Sequence, residues 1–150
     1  MFAGSIVPLR PAQIPQLEAL LDANSLPSED CAEQSENFFG IFDGDRLLAA
    51  GGLQPAEEFF LLRSLVVDPA YRGRGLARAL SGFLLDRAEA AGGAAVYLLT
   101  ETAAEYFTRL GFEPTARECV PKAVARTRQF TSLCPDNADC LLFRLPRNRV

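Results

Sequence analysis

The passage from residue 61 to residue 91 constrains this chain most, because an apolar strand there runs into a glycine turn and the turn opens a helix. Residues 61–67 supply the strand, Arg72, Gly73, Arg74, Gly75, Leu76 and Ala77 the turn, and Leu76, Leu80, Phe83, Leu84 and Ala88 share one helical face. The start of a helix leaves four backbone N–H groups without partners and carries about half a positive charge, so it takes up phosphate readily. Glycine at 73 and 75 removes side chains that would block the approach, and Arg72 and Arg74 would add charge-assisted hydrogen bonds to phosphate oxygens. The third glycine of the dinucleotide fingerprint is replaced by Arg78, and no Gly-Lys-Ser/Thr follows, which counts against a nicotinamide site and a nucleotide P-loop. A Gly-x-Gly also serves as a plain tight turn into a helix, and composition does not decide between the two readings.

The rest of the chain reads as alternating short elements without repeats or linkers. Residues 5–9 predict a strand, after which Arg10 and Pro11 open a helix with Ile14, Leu17, Leu20 and Leu21 on one face. Residues 26–37 are mostly polar and predict a loop with a weak helix starting at Ser28, Glu29 and Asp30. The apolar runs 38–42 and 46–53 flank Asp43, Gly44 and Asp45, the turn chemistry of an antiparallel hairpin. Residues 59–67 and 94–99 predict two further strands, the latter buried on both faces. Thr102 and Glu105 have the spacing of a capping box for a short helix that Gly111 would close. Residues 112–120 then predict a strand, 121–133 a helix or turn, and 139–145 a last strand. The pattern implies a mixed α/β sheet with helices on both faces.

With 150 residues the expectation is one domain, and 49% apolar against 23% charged residues is the balance of a soluble globular protein. No apolar run approaches the roughly 20 residues of a membrane helix, and no secretory signal is visible at the N-terminus, so a cytoplasmic location is expected. Cys31, Cys119, Cys134 and Cys140 are widely spaced and read as free thiols. The chain has no histidine, which removes His-based catalysis and the commonest zinc geometries, and no metal is expected. A net charge of −4 argues against a nucleic-acid partner and weakly favours a cationic or amine-bearing one.

Residues 72–77 fit R/Q-x-x-G-x-G/A, and the segment Leu65, Val66, Val67, Asp68, Pro69 precedes them as a strand end. In both respects the chain resembles the GNAT acetyltransferases, whose coenzyme A pyrophosphate loop carries that pattern. Residues 106–112, a helix ending in Gly-Phe, extend the likeness. The resemblance implies a GNAT fold with a central, mostly antiparallel mixed sheet of six to seven strands. It also implies acetyl-coenzyme A as cofactor, and direct acetyl transfer to the primary amine of a small molecule without an acyl-enzyme. A narrower likeness, in residues 61–67, 97–102 and 130–140 with Leu133, Cys134 and Pro135, is to the arsenic-resistance N-acetyltransferases, which acetylate amino-acid-like compounds such as arsinothricin. The alternative is a non-catalytic coenzyme A-binding sensor on the same fold.

On that likeness, backbone groups around Leu65, Val66 and Val67 would hold the pantetheine arm. Thr102, Phe107 and Arg109 would also approach the cofactor, although Thr100 and Thr102 equally suit turn and cap roles and Arg109 could simply be solvated. The usual general acid of the family is a tyrosine that aligns with Phe107; Tyr106 lies one residue earlier, roughly 100° away on a helix. Glu57 or Glu58 could relay the amine proton, or both could be solvated charges at the strand entry. Arg63 stands mid-strand, where an unpaired charge is costly, so either a structural carboxylate pairs it or it binds an anionic group on the acceptor. Ser64 should face away from Arg63 unless a bulge re-aims it. Cys134 reads as a small apolar side chain rather than an arsenic-binding thiol. The strand 139–145 could support a homodimer.

Overall fold

A computed structural model describes residues 6–146. Seven strands form one sheet in the order β1-β2-β3-β4-β5-β7-β6: β1 (Ile6–Pro8), β2 (Phe38–Asp43), β3 (Arg46–Ala56), β4 (Phe59–Val67), β5 (Ala95–Thr100), β6 (Glu113–Pro114) and β7 (Asp139–Arg144). β1–β2, β2–β3, β5–β7 and β6–β7 pair antiparallel, and β4–β5 pair parallel. Four α-helices accompany it: α1 (Ile14–Ala23), α2 (Leu76–Ala90), α3 (Ala104–Arg109) and α4 (Lys122–Ala125). This is the mixed sheet with helices that the sequence implies. Ser5, placed in the first strand by sequence, lies outside the described residues. The chain forms two compact units, one comprising the chain up to Leu53 with Arg63–Asp86, the other Gln54–Leu62 with the chain from Arg87 onward.

In the first unit, alternation along the strands sends side chains to two separate cores. Phe38, Leu47, Ala50 and Val66 pack with Ile14, Leu17 and Leu21 of α1. Ile41, Leu48 and Ala49 pack with Leu76 and Leu80 of α2. The helical spacing of both helices therefore translates directly into which face each covers. The β2–β3 hairpin turns at Gly44, whose φ of 59° is the left-handed conformation such a two-residue turn demands. Gly52 on β3 has a different role: a Cβ there would meet the Phe38 ring at 2.7 Å and the Arg63 Cγ at 3.2 Å, so the missing side chain makes room for both.

In the second unit, Leu61, Tyr97, Val124, Phe130, Cys140 and Leu142 belong to a single core. Two sequence expectations, for residues 26–37 and 112–120, are corrected here or in the first unit. Residues 26–37 contain turns and a 3-10 turn, Ser35–Asn37, but no α-helix; the Ser28 hydroxyl donates to Asp22 rather than capping a following helix. The strand expected over 112–120 shrinks to Glu113–Pro114, because Pro114 has no N–H to continue a ladder and the chain then coils into a 3-10 turn at Arg117–Cys119. Residues 121–133 split into α4 and a π-helical turn, Gln129–Leu133. Finally, β7 pairs along its length with β5 and carries β6 at Leu141 and Leu142 on its other side.

Candidate cofactor loop and acetyl-transfer site

The turn after β4 is built before any ligand is considered. Asp68 Oδ1 accepts the Ala70 N–H at 3.0 Å and so caps the 3-10 turn Pro69–Tyr71, while its Oδ2 accepts from Arg46 Nη2 at 2.8 Å. The Arg46 hydrogen bond, seconded by the Ala70 N–H, holds the Asp68 carboxyl below its ordinary value. The Tyr71 ring then receives two guanidinium groups, Arg46 at 5.2 Å and Arg74 at 5.0 Å from its centroid. Arg72 Nη2 donates to Asn24 Oδ1 on the other side of the loop. Both loop arginines, expected to reach phosphate, thus rest on protein partners in this structure; both residues are exposed.

Gly73 and Gly75 adopt φ of 77° and 79°, and a Cβ on either would meet nothing within 4 Å. Glycine is required there by conformation and not by crowding. The Gly75 carbonyl accepts the Ala79 N–H at 3.0 Å, the first bond of α2, a helix of 15 residues. Ala79 is the first helical donor, so the N–H groups of Gly75, Leu76, Ala77 and Arg78 ahead of it have no carbonyl of α2 to bond. Four consecutive amides at a helix start, reached through a turn with two glycines, form a donor set that suits a diphosphate.

Arg63 resolves differently from the acceptor-binding alternative. It is 3% exposed, and its two terminal nitrogens donate to the two carboxylate oxygens of Asp30, itself 1% exposed. A structural carboxylate therefore pairs it, and its guanidinium does not stand open to an acceptor's anionic group. Its Nε also donates to Ser64 Oγ at 3.2 Å, and its guanidinium lies 5.4 Å from the Phe38 ring centroid. Ser64 has φ of 58°, inside a strand. That left-handed φ departs from the extended geometry on which simple alternation rests, and Ser64 Oγ lies within reach of its neighbour's guanidinium. Sequence reasoning missed Asp30 as the partner; its only signal was an acid in a polar stretch 33 residues away.

The remaining candidates scatter. Glu57 and Glu58 form the two-residue turn between β3 and β4 rather than the strand entry; both are exposed, and Glu57 lies 3.9 Å from Arg126. The capping box at Thr102 does not form: α3 starts at Ala104, and Thr100 Oγ1 accepts the Ala103 N–H at 3.0 Å in its place. Thr102 is exposed. Gly111, with φ of 109°, does close α3, the Phe112 N–H returning to the Phe107 carbonyl at 3.1 Å. Phe107 is buried against Phe112, and the Tyr106 ring meets it edge-on at 5.2 Å, with the Tyr106 hydroxyl buried. Arg109 lines a shallow surface depression with Ala104, Glu105 and Thr108.

All four cysteines are free. Burial pushes the thiols of Cys31 and Cys140 up to about 11. Below pH 9 both are protonated in the folded and unfolded chain alike. Between about pH 9 and 11 only the unfolded chain ionises them, so their contribution to stability falls as pH rises through that window. Native-state alkylation at pH 8 should therefore label exposed Cys119 first and leave Cys31 and Cys140 unmodified until denaturant is added, as peptide mapping would show. The Cys134 thiol donates to Gln129 Oε1 at 3.2 Å.

Residues 9–112 match the model of the acetyltransferase (GNAT) family, more than half of the chain, and the chain belongs to that family. In fold it is similar to N-acetylglutamate synthase from Neisseria gonorrhoeae, crystallised with coenzyme A and N-acetyl-glutamate (TM-score 0.82, 21% identity), covering 95% of this chain but 35% of that one. The chain thus spans about a third of that enzyme. It is similar over 95% of its length and 99% of the other's to Rv2747 from Mycobacterium tuberculosis, crystallised with CoA and NLQ (TM-score 0.80, 21% identity). A GNAT-family acetyltransferase from Staphylococcus aureus Mu50 gives a TM-score of 0.77 at 16% identity, covering 95% and 99% of the two chains. Among the described residues, no helix is long and apolar enough to cross a membrane.

Proposed function

We propose that this protein transfers the acetyl group of acetyl-coenzyme A to the primary amine of a small, amino-acid-like acceptor, with residues 72–77 holding the cofactor's pyrophosphate. The observation that carries this reading is the row of helix-start amides from Gly75 to Arg78 that α2 leaves without helical partners, behind a turn with glycines at 73 and 75. Acetyl-coenzyme A, when bound, supplies the acetyl group as a thioester open to attack by an amine. The chain contributes positioning. Amides at the helix start and the glycines take the phosphates, and Arg72 and Arg74 need only leave Asn24 and Tyr71 to join them. Backbone groups of Leu65, Val66 and Val67, just past the left-handed Ser64, would align the pantetheine arm. Thr102 and Arg109, both exposed, are the further candidates for polar contact with the cofactor.

Proton transfer follows from what the turn and α3 present. Glu57 and Glu58 are exposed residues of the β3–β4 turn, Glu57 beside Arg126, and we assign deprotonation of the amine to solvent. Phe107 has no proton to give, which leaves Tyr106 or water for the departing thiolate. Replacing both glutamates by glutamine should change kcat by no more than about two-fold, since surface substitutions are usually worth within ±0.5 kcal/mol. Steady-state kinetics of that double variant check the assignment.

The amino-acid-like acceptor is supported by the neighbour crystallised with N-acetyl-glutamate. The likeness of the 130–140 segment to the arsenic-resistance enzymes adds arsinothricin to the candidates. Thiol release from acetyl-coenzyme A over a panel of amino acids, including L-glutamate and arsinothricin, should show turnover with at least one amine. Tight binding of coenzyme A without turnover on any of them would establish the sensor instead.

A further inference from the structure

Resting on the cofactor reading above, we propose that the buried Asp30–Arg63 pair is a positioning device: it holds Ser64 in its left-handed conformation and thereby sets the direction of the β4 amides that follow. Three observations converge. First, Ser64 has φ of 58°, a conformation that costs a non-glycine residue free energy and persists only where its surroundings impose it. Second, the Arg63 guanidinium is tied at three nitrogens, with the terminal pair on the Asp30 carboxylate and Nε on Ser64 Oγ at 3.2 Å. Neighbouring side chains of a regular strand point to opposite faces, so a hydrogen bond from Arg63 to the next residue marks the place where the strand is broken. Third, the space for this arrangement is built in. Gly52 lacks the Cβ that would strike Phe38 and Arg63, and Phe38 is fully buried beside the guanidinium.

The consequence lies in the residues just downstream. Leu65, Val66 and Val67 follow Ser64 with the direction that its left-handed φ gives them. Asp30 sits in the turn-rich segment 26–37, whose backbone bonds from Cys31 and Gln34 to Ser28 and Asp30 keep it in place. The pair therefore joins that loop to the one strained point of β4. Arg63 acts through Ser64 and the amides after it, without touching the acceptor.

The test uses the double variant Asp30→Leu/Arg63→Met, because removing both members of a buried pair for apolar residues is commonly tolerated while removing one is not. Calorimetry should show acetyl-coenzyme A bound about ten-fold more weakly, with the affinity for ADP, which has the pyrophosphate but no pantetheine, unchanged. Adding Ser64→Gly should restore acetyl-coenzyme A affinity, since glycine holds a positive φ without help. A crystal structure of the double variant should show Ser64 out of the left-handed region. Ser64 retained near its present φ in that structure, or acetyl-coenzyme A affinity unchanged in a folded double variant, overturns the proposal. If the unmodified protein binds neither ADP nor acetyl-coenzyme A, the cofactor reading fails by itself, and the Ser64 conformation in the double variant still decides the role of the pair.

Discussion

Gly75→Val leaves the protein folded and removes its coenzyme A binding. The valine Cβ meets nothing within 4 Å, so no neighbour is displaced. What fails is the backbone: φ is 79°, which a β-branched residue adopts only at a cost, and the turn relaxes toward negative φ. Relaxation turns the amides around residue 75 away from a common point. Losing even two charge-assisted hydrogen bonds of about 1.5–3 kcal/mol each weakens binding by roughly a hundred-fold or more. Titration calorimetry with coenzyme A measures that directly, and an affinity within a few-fold of the unmodified protein would show that the phosphates sit elsewhere. Gly82→Ala is the control. It also has open space around it but no positive φ, and it lies inside α2, so alanine should leave binding intact and add up to about 1 kcal/mol of stability.

The second large effect is on stability. Asp30→Ala strands the guanidinium of Arg63, whose side chain is fully buried, with no carboxylate to balance it. Breaking a buried pair by removing one member costs about 3–5 kcal/mol, which in a chain of this size lowers Tm on the order of 10 °C. The arithmetic favours desolvation over attraction: Coulomb energy gained by the pair is largely consumed in removing both ions from water, so the loss on breaking it is the penalty of the orphaned charge. Thermal unfolding of Asp30→Ala and of Asp30→Leu/Arg63→Met should therefore differ sharply, the single variant far below the double. Equal melting temperatures would mean that water reaches Arg63 when Asp30 is gone.

Legibility in the sequence followed the range of the interaction. The apolar faces of α1 and α2 were visible because helical period places Leu17 and Leu21, or Leu76, Leu80 and Leu84, on one side whatever they pack against, and all five are buried. The hairpin at Gly44 and the closure of α3 at Gly111 were visible for the same reason, each needing only a few adjacent residues. The segment after residue 112 was not. Residues 112–120 read as a strand, but Pro114 interrupts any ladder, and the strand survives over two residues only.

The candidate site divides along the same line. A glycine pair before an amphipathic helix determines, by local conformation alone, that a row of amides at the helix start is left over, and the loop at 72–77 is legible for that reason. Tertiary structure alone decided the partners: Arg63 on Asp30, Arg72 on Asn24, Arg74 on Tyr71, and Glu57 beside Arg126. A charged side chain announces in sequence only that it needs a partner or water. Which of the two it finds depends on the residues that folding brings within a few ångströms, and for Arg63 that residue lies 33 positions earlier in the chain.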